Sequence, residues 1–326
     1  MMTTPTRRPV RLRYRPVTRA DLAECFELLP RWLGLDDALA AALPALWERL
    51  VDEPSMITGL LEDLTGPPGQ RIQGWGVTLA LPPAAVSALE LEGEPRAFLA
   101  RRVYAALHEG SLQPMSDREI GLANARGDLT LLILHYTQRS LDIADPAASS
   151  ALALANDAFR AFHDGYNPRA IYFETSALQQ DFGVSSGFDV LRFRDADSIA
   201  SLPPERRPVY LGLTREQARS RLPGMPARNV FEHQVPLFRF SMSQRRLLWL
   251  ALFDDSDEQL MRSLEVSVHG LKKLWRGIYE RIEDQAPDFF GEAVLDNDGK
   301  RGPEKRRQVL AYVRQRLEEV RPWAMS

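Results

Sequence analysis

Two groups of residues in this chain have types and spacings that could do chemistry. The first is cationic: Lys272, Lys273, Arg276 and Arg281 lie close together, opposed within their span by only Glu280. Every lysine of the protein (Lys272, Lys273, Lys300 and Lys305) falls in the last quarter, while the rest of the chain uses arginine alone. Clustered ammonium and guanidinium groups hold phosphate oxygens, although such a cluster more often forms a solvated helix face. The second group is His135 and Glu174, side chains able to transfer protons. Each stands in a strand-like run with no partner pattern around it, so both are expected to be ordinary strand residues. Cys25 is the only cysteine, which excludes an intramolecular disulfide and any cysteine-rich zinc module. It falls among Leu22, Phe26 and Leu29 at helical spacing and reads as core. Asp296, Asn297, Asp298 and Gly299 have the composition of a calcium-loop start. The twelfth position is Arg307 where a bidentate glutamate is needed, so a plain turn is expected.

The cationic cluster has clear positioning elements. A first helix is expected to start near Ser241–Ser243 and to bury Leu247, Leu248, Ala251 and Leu252. A second starts at Ser256, with Gln259 three residues on as in a capping box and with Asp257 and Glu258 at the positive end of the helix dipole. After a short turn at Glu265 and Val266, Ser267 is a natural N-cap for a third helix. There Val268, Leu271, Trp275, Ile278 and Ile282 repeat at spacings of three and four, and the opposite face carries His269, Lys272, Lys273 and Arg276. One side seated on two supporting helices, with the other offering donors, is the layout of a DNA recognition helix.

The stretch from Asp257 to Tyr279 resembles the signature of LuxR-type helix-turn-helix regulators, with Leu264, Val266, Ser267, Leu271, Lys272, Ile278, Tyr279 and Ile282 in matching positions. That resemblance implies that Ser267, His269, Lys272, Lys273 and Arg276 face double-stranded DNA. Gly270 stands where the family usually has threonine, and Leu274 where it often has histidine or asparagine, which leaves base preference open. Gly270 also costs the helix about 1 kcal/mol against alanine. A last helix is expected over 302–322, with Pro303 in its first turn. Its stripe of Val309, Leu310, Val313, Leu317 and Val320 is expected to dock within the chain, a homodimer contact being the alternative.

Ahead of these helices, strands are expected at 11–16, 55–64, 73–81, 128–136, 170–175 and 188–193. Helices are expected near 22–32, 36–51, 97–108 and 146–163. The order resembles the GNAT acyltransferase fold, on the strength of residues 14–29, 128–162 and the Gly187-Phe188 pair before the last strand. GNAT chemistry depends on a glycine-rich turn after the central strand, where backbone N–H groups hold a pyrophosphate. Here residues 136–146 contain no glycine, Gln138 and Arg139 could only begin such a motif, and Asp142 and Asp145 would repel phosphate. The tyrosine that often serves as general acid is replaced by the Phe182-Gly183 region. The resemblance therefore implies a catalytically degenerate domain, no enzyme, with no cofactor and no metal. Its aromatic residues Trp47, Trp75 and Tyr136 are candidates for a ligand pocket.

A length of 326 residues with 44% hydrophobic content suits two domains. The expected class is α+β: a GNAT-like mixed-sheet sensory or dimerisation domain at 10–195, a proline-rich connector at 196–240, and an all-α LuxR-type domain at 241–326. No run approaches the 18 or more apolar residues of a membrane span. The arginines at the start (Arg7, Arg8, Arg11, Arg13 and Arg15) precede no apolar region, so a secretory signal is not expected and the address is cytoplasmic. The function expected is transcription regulation through DNA binding, with a small-molecule effector or partner acting at the N-terminal domain. Two competing readings stay open: an acyl-CoA-dependent N-acyltransferase with an accessory helical domain, and an interaction adaptor.

Overall fold

The computed structural model describes residues 11–253, 256–291 and 301–324. The turn expected at 296–299, Lys300, Arg7 and Arg8 lie outside the described residues. The chain forms two compact units. One comprises Met1–Ser116, Leu129–His163 and Pro168–Asn229, and the other Asp117–Asp128, Asp164–Asn167 and Val230–Ser326.

In the first unit, β1 (Leu12–Pro16), α1 (Leu22–Phe26) and α2 (Asp37–Leu50) lead to the hairpin-like pair β2 (Met56–Asp63) and β3 (Ile72–Leu81). Two helices follow, α3 (Pro83–Ala88) and α4 (Leu99–Glu109). After α5 (Asp117–Arg126), which belongs to the other unit, come β4 (Leu129–Gln138), α6 (Pro146–His163), β5 (Pro168–Ser176), α7 (Gln180–Ser185) and β6 (Asp189–Leu191). The unit ends with α8 (Ala196–Ile199), β7 (Pro208–Thr214), α9 (Arg215–Arg219) and α10 (Pro226–Asn229). The strands form one mixed sheet in the order β1-β2-β3-β4-β5-β7-β6. Among the described residues only β4 and β5 pair in parallel, joined through α6, as a parallel pair requires a crossover.

The periodicity read from the sequence places the core. Asp36 caps α2 by accepting from the Leu39 amide, and Leu39, Leu43, Leu46, Trp47 and Leu50 are its buried stripe. They pack with Trp75, Val77 and Leu79 of β3 and with Val103 and Tyr104 of α4 on one face of the sheet. Trp47 and Trp75 are thus closed core rather than pocket wall, at 0% exposure each. Cys25 is buried in the same core, where burial pushes its thiol pKa up and leaves it a small apolar group.

The connector expected at 196–240 is corrected. Residues 208–214 are β7, which pairs antiparallel with both β5 and β6 inside the sheet. Pro208 is tolerated because it is the first residue of the strand. The run Val209 to Leu213 carries the apolar content of a strand buried on both faces. Surrounding prolines masked that run, and the unit continues to Asn229.

The second unit is helical. Besides α5, a helix the sequence reading left unassigned, it holds α11 (Met242–Ala251), α12 (Asp257–Leu264), α13 (Val268–Gln285), α14 (Arg301–Gln315) and a 3-10 turn at Leu317–Val320. Ser241 with Gln244 and Ser256 with Gln259 form complete capping boxes, and Ser267 caps α13 by accepting from the Gly270 amide. The core joins Leu247, Leu248, Leu260, Leu271, Trp275, Ile278 and Ile282 with Val309, Leu310, Val313 and Val320. The stripe considered for dimerisation is therefore buried within its own unit, and the expected single last helix breaks after Gln315.

Three polar ties bring distant segments into this unit. Arg245, nearly buried, grips Asp117 of α5 with contacts of 2.6 and 2.7 Å. Asn124 donates to the Pro322 carbonyl at 2.7 Å and accepts from the Asn167 amide. Arg321 donates to the Asp164 carbonyl and lies over the rings of Tyr166 and Trp249. Satisfied groups of this kind specify which segments pack together, because leaving any of them unpaired in the interior is costly.

Candidate functional site

The exposed face of α13 is built by the seating of its other face. Leu271, Trp275, Ile278 and Ile282 are buried, each worth about 1.5–3 kcal/mol when fully removed from water. That fixes the helix's rotation. Ser267, His269, Lys272, Lys273 and Arg276, the residues expected to touch DNA, are all exposed on the side this leaves open. Arg276 makes one contact, to Glu280 at 3.7 Å, between two exposed side chains. Such a pair is worth little and yields readily to a better anion. Arg281, which the sequence grouped with the cluster, is used differently: its Nε donates to the Phe238 carbonyl at 2.6 Å. Val268, read as part of the apolar face, is instead 56% exposed.

The turn between α12 and α13 ends on Glu265 in the left-handed region, φ 54°, with the Val266 amide reaching back to the Met261 carbonyl. Glycine at 270 has a local reason. A side chain there would bring its Cβ to 3.2 Å from that of Val266, crowding the turn. Gly277 lies inside an otherwise unbroken helix, which is a sequence signal of close packing there. Its missing Cβ would stand 3.2 Å from Gln244 Nε2, so it admits the side chain of α11 against α13.

The sheet unit has a second arrangement of interest. Parallel pairing of β4 with β5 ends at Ile133 and Phe173, although both strands run on, to Gln138 and Ser176. Opposite β3 the register of β4 shifts at Leu134, so that His135 pairs with Val77 and Ile133 with Thr78. This is a β-bulge, a device that bends a strand and re-aims its side chains. It turns His135 into the Trp75 and Tyr104 cluster, where Nε2 meets the Tyr104 hydroxyl at 3.1 Å. Complete burial lowers the His135 pKa to about 3, so the ring is neutral.

Glu174, on β5, has both carboxylate oxygens occupied by the start of α4. They accept from the Leu99 and Ala100 amides, each at 2.8 Å. Burial raises its pKa to about 7 against the opposing pull of these amides. His135 and Glu174 each serve a separate local network, so the structure does not bring them together as an acid–base pair.

The loop 139–145 tests whether the residues fit an acyl-CoA pyrophosphate, and they do not. Gln138 Nε2 is spent on the Ser140 and Ala148 carbonyls, and its Oε1 accepts from the Tyr136 hydroxyl. Arg139 donates to the Ile72 carbonyl and pairs with Glu24. At the start of α6, Asp145 Oδ1 accepts from the Ala147 amide, and Asp142 Oδ1 from that of Ala144. The backbone donors that would cradle a phosphate already face carboxylates.

No family model matches the chain, and no curated protein matches it. Solved structures do. The spermidine/spermine N-acetyltransferase SpeG from Vibrio cholerae is 12% identical, covering 64% of this chain and 98% of that one with a TM-score of 0.36. A dodecameric structure of the spermidine N-acetyltransferase from Vibrio cholerae is 11% identical over 64% and 98%, with a TM-score of 0.37. A chain of the NatC complex bound to Gag peptide and CoA is 14% identical over 62% and 98%, with a TM-score of 0.34. The expectation that this chain is not an enzyme is withdrawn on that finding, since solved structures that it matches are named spermidine N-acetyltransferases. Among the described residues no helix is long and apolar enough to cross a membrane. The protein is α+β: a seven-stranded mixed sheet in one unit and helices in the other.

Proposed function

We propose that the helical unit reads double-stranded DNA, with α13 as the recognition helix, and that the protein is a transcriptional regulator of the LuxR type its sequence resembles. The observation that carries this reading is the division of α13. Its Leu271, Trp275, Ile278 and Ile282 are buried, while Ser267, His269, Lys272, Lys273 and Arg276 are exposed on the opposite side, where Arg276 has a long ion pair with Glu280. Cations on an exposed face neutralise phosphates, and a helix that carries them seats in the major groove. The test is selection of genomic fragments by the purified full chain, then a salt titration on the best fragment. A shared motif is expected, with affinity falling as salt rises by about 0.9 in log–log slope for each phosphate neutralised. Recovery of no motif, with only weak salt-sensitive binding, overturns the reading of a sequence-specific regulator.

A second reading, an acyl-CoA-dependent N-acyltransferase in the sheet unit, is favoured by one observation: β4 and β5 pair in parallel only as far as Ile133 and Phe173, with the β4 bulge beside that point. Against it stand the carboxylates at the start of α6. Calorimetric titration with acetyl-CoA decides it. No heat of binding at millimolar thioester removes this reading.

A further inference from the structure

Beneath α6 the sheet face is bare where it should be packed. Gly59 of β2 and Gly76 of β3 are direct cross-strand partners, and Gly74 lies two residues along on the same face as Gly76. Across from them α6 presents the small side chains of Ala155 and Ala158. Small residues on both walls leave an apolar cavity of about 80 Å³.

Two of the three glycines are already answered by aromatic rings. A Cβ on Gly59 would fall 2.5 Å from the Phe162 ring, and one on Gly74 would fall 3.1 Å from the Tyr136 hydroxyl. Gly76 is met less closely: the nearest atom to its missing Cβ is Tyr136 Cδ2, at an ordinary contact distance of 3.7 Å. Gly76 therefore has room for a side chain beside the cavity that it helps to line. Interiors are otherwise packed to crystal density, so a hollow lined this way is a place where a ligand can recover lost contacts.

The wall dictates what enters. Among its lining residues there is no Asp, Glu, Lys or Arg, and aromatic rings come from Tyr136, Phe159, Phe162, Phe173, Phe182 and Phe188. Its polar side chains are engaged with one another or with backbone, Ser186 Oγ with Asn156 Oδ1 and the Phe182 carbonyl among them. His163 Nε2 meets Thr78 Oγ1 at 2.9 Å, and His163 Nδ1 meets the Phe159 carbonyl at 2.7 Å. A charged ligand would lose its hydration for nothing, whereas an uncharged ring would lie against ring edges and glycine backbone. We infer that this cavity is a binding site for a small neutral apolar molecule of single-ring size, seated on Gly76 between β3 and α6. The site stands independently of the DNA-binding reading, because every residue that forms it belongs to the sheet unit.

The experiment titrates the full chain with toluene, and in parallel with indole, followed by ligand-observed NMR and by the thermal midpoint. Saturable binding and a rising midpoint are expected for the native chain. Gly76→Val, which fills the hollow, should weaken binding at least tenfold while its own ligand-free midpoint stays level or rises. If Gly76→Val does not fold, Gly76→Ala, whose added methyl meets only an ordinary contact, should weaken binding several-fold. No saturable binding of either probe to the native chain overturns the proposal. So does binding that Gly76→Val, or Gly76→Ala in its place, leaves unchanged. Neither outcome touches the DNA selection, which reads a different unit.

Discussion

Two helix starts in this molecule are built from similar parts and are closed differently. Both α6 and α13 place backbone amides of their first turn at the positive end of a helix dipole, where an anion is welcome. At α6 that welcome is taken up by the chain itself: Asp145 caps the helix and Asp142 stands just before it. At α13 the cap is the neutral hydroxyl of Ser267, and the next turn carries His269, Lys272 and Lys273. A third start shows the extreme. The amides of Leu99 and Ala100, at the start of α4, are sealed in the interior by Glu174, which arrives from β5. What separates the three is whether the capping atom is charged and whether water reaches it.

The largest expected effect comes from stripping the open start. The double variant Lys272→Ala/Arg276→Ala should lose about 1–3 kcal/mol of DNA affinity for each side chain. Fluorescence anisotropy should show a shallower salt dependence, while circular dichroism stays unchanged because both positions are exposed. Undiminished affinity in that variant would break the contrast with α6.

Glu174 sharpens it from the buried side. Its pKa in the folded chain is about 7, above the ordinary value of 4.5, so the fold binds the proton more tightly than the unfolded chain does. The resulting stability is present below pH 4.5 and is lost as pH rises to about 7, an effect on the order of 3 kcal/mol. Urea melts across this range should show the decline, and Glu174→Gln should flatten it. A Glu174→Gln profile parallel to the native one would mean that another group titrates.

A smaller change should make α13 begin as α6 does. Ser267→Asp keeps an N-cap of similar quality and sets a carboxylate against phosphate, so DNA affinity should fall roughly tenfold with little loss of thermal stability. The reverse experiment is Asp145→Ser. It keeps a cap on α6 but removes the charge, which should cost about 0.3–1 kcal/mol in chemical denaturation. Tighter binding of acetyl-CoA by this variant, measured calorimetrically, would show that the carboxylate alone closes that start.

Legibility in the sequence followed the range of each interaction. The starts at Ser241, Ser256 and Ser267 were readable because each cap closes within three residues, on Gln244, Gln259 and Gly270. The α13 stripe repeats every turn, so its exposed face is legible residue by residue except at Val268 in the first turn. By contrast, β7 was hidden among prolines, because a strand's identity lies in the partners it pairs with and not in its neighbours. Trp47 and Trp75 were offered as pocket residues for their chemistry, and only the sheet's two-faced geometry showed them inside the core. Arg281 was grouped with the cations by position, and its bond to Phe238 crosses 43 residues.

By itself, then, the sequence determined the local helices of the last quarter, the α+β class, and the side of α13 that stays in water, since caps and periodicities act within a turn or two. Tertiary structure alone decided that α5 and residues 164–167 join the helical unit, that Glu174 seals a helix 75 residues away, and that Gly76 lines a cavity. Those outcomes depend on which distant surfaces meet, and burial of a charge or a void is a property of that meeting rather than of any one residue.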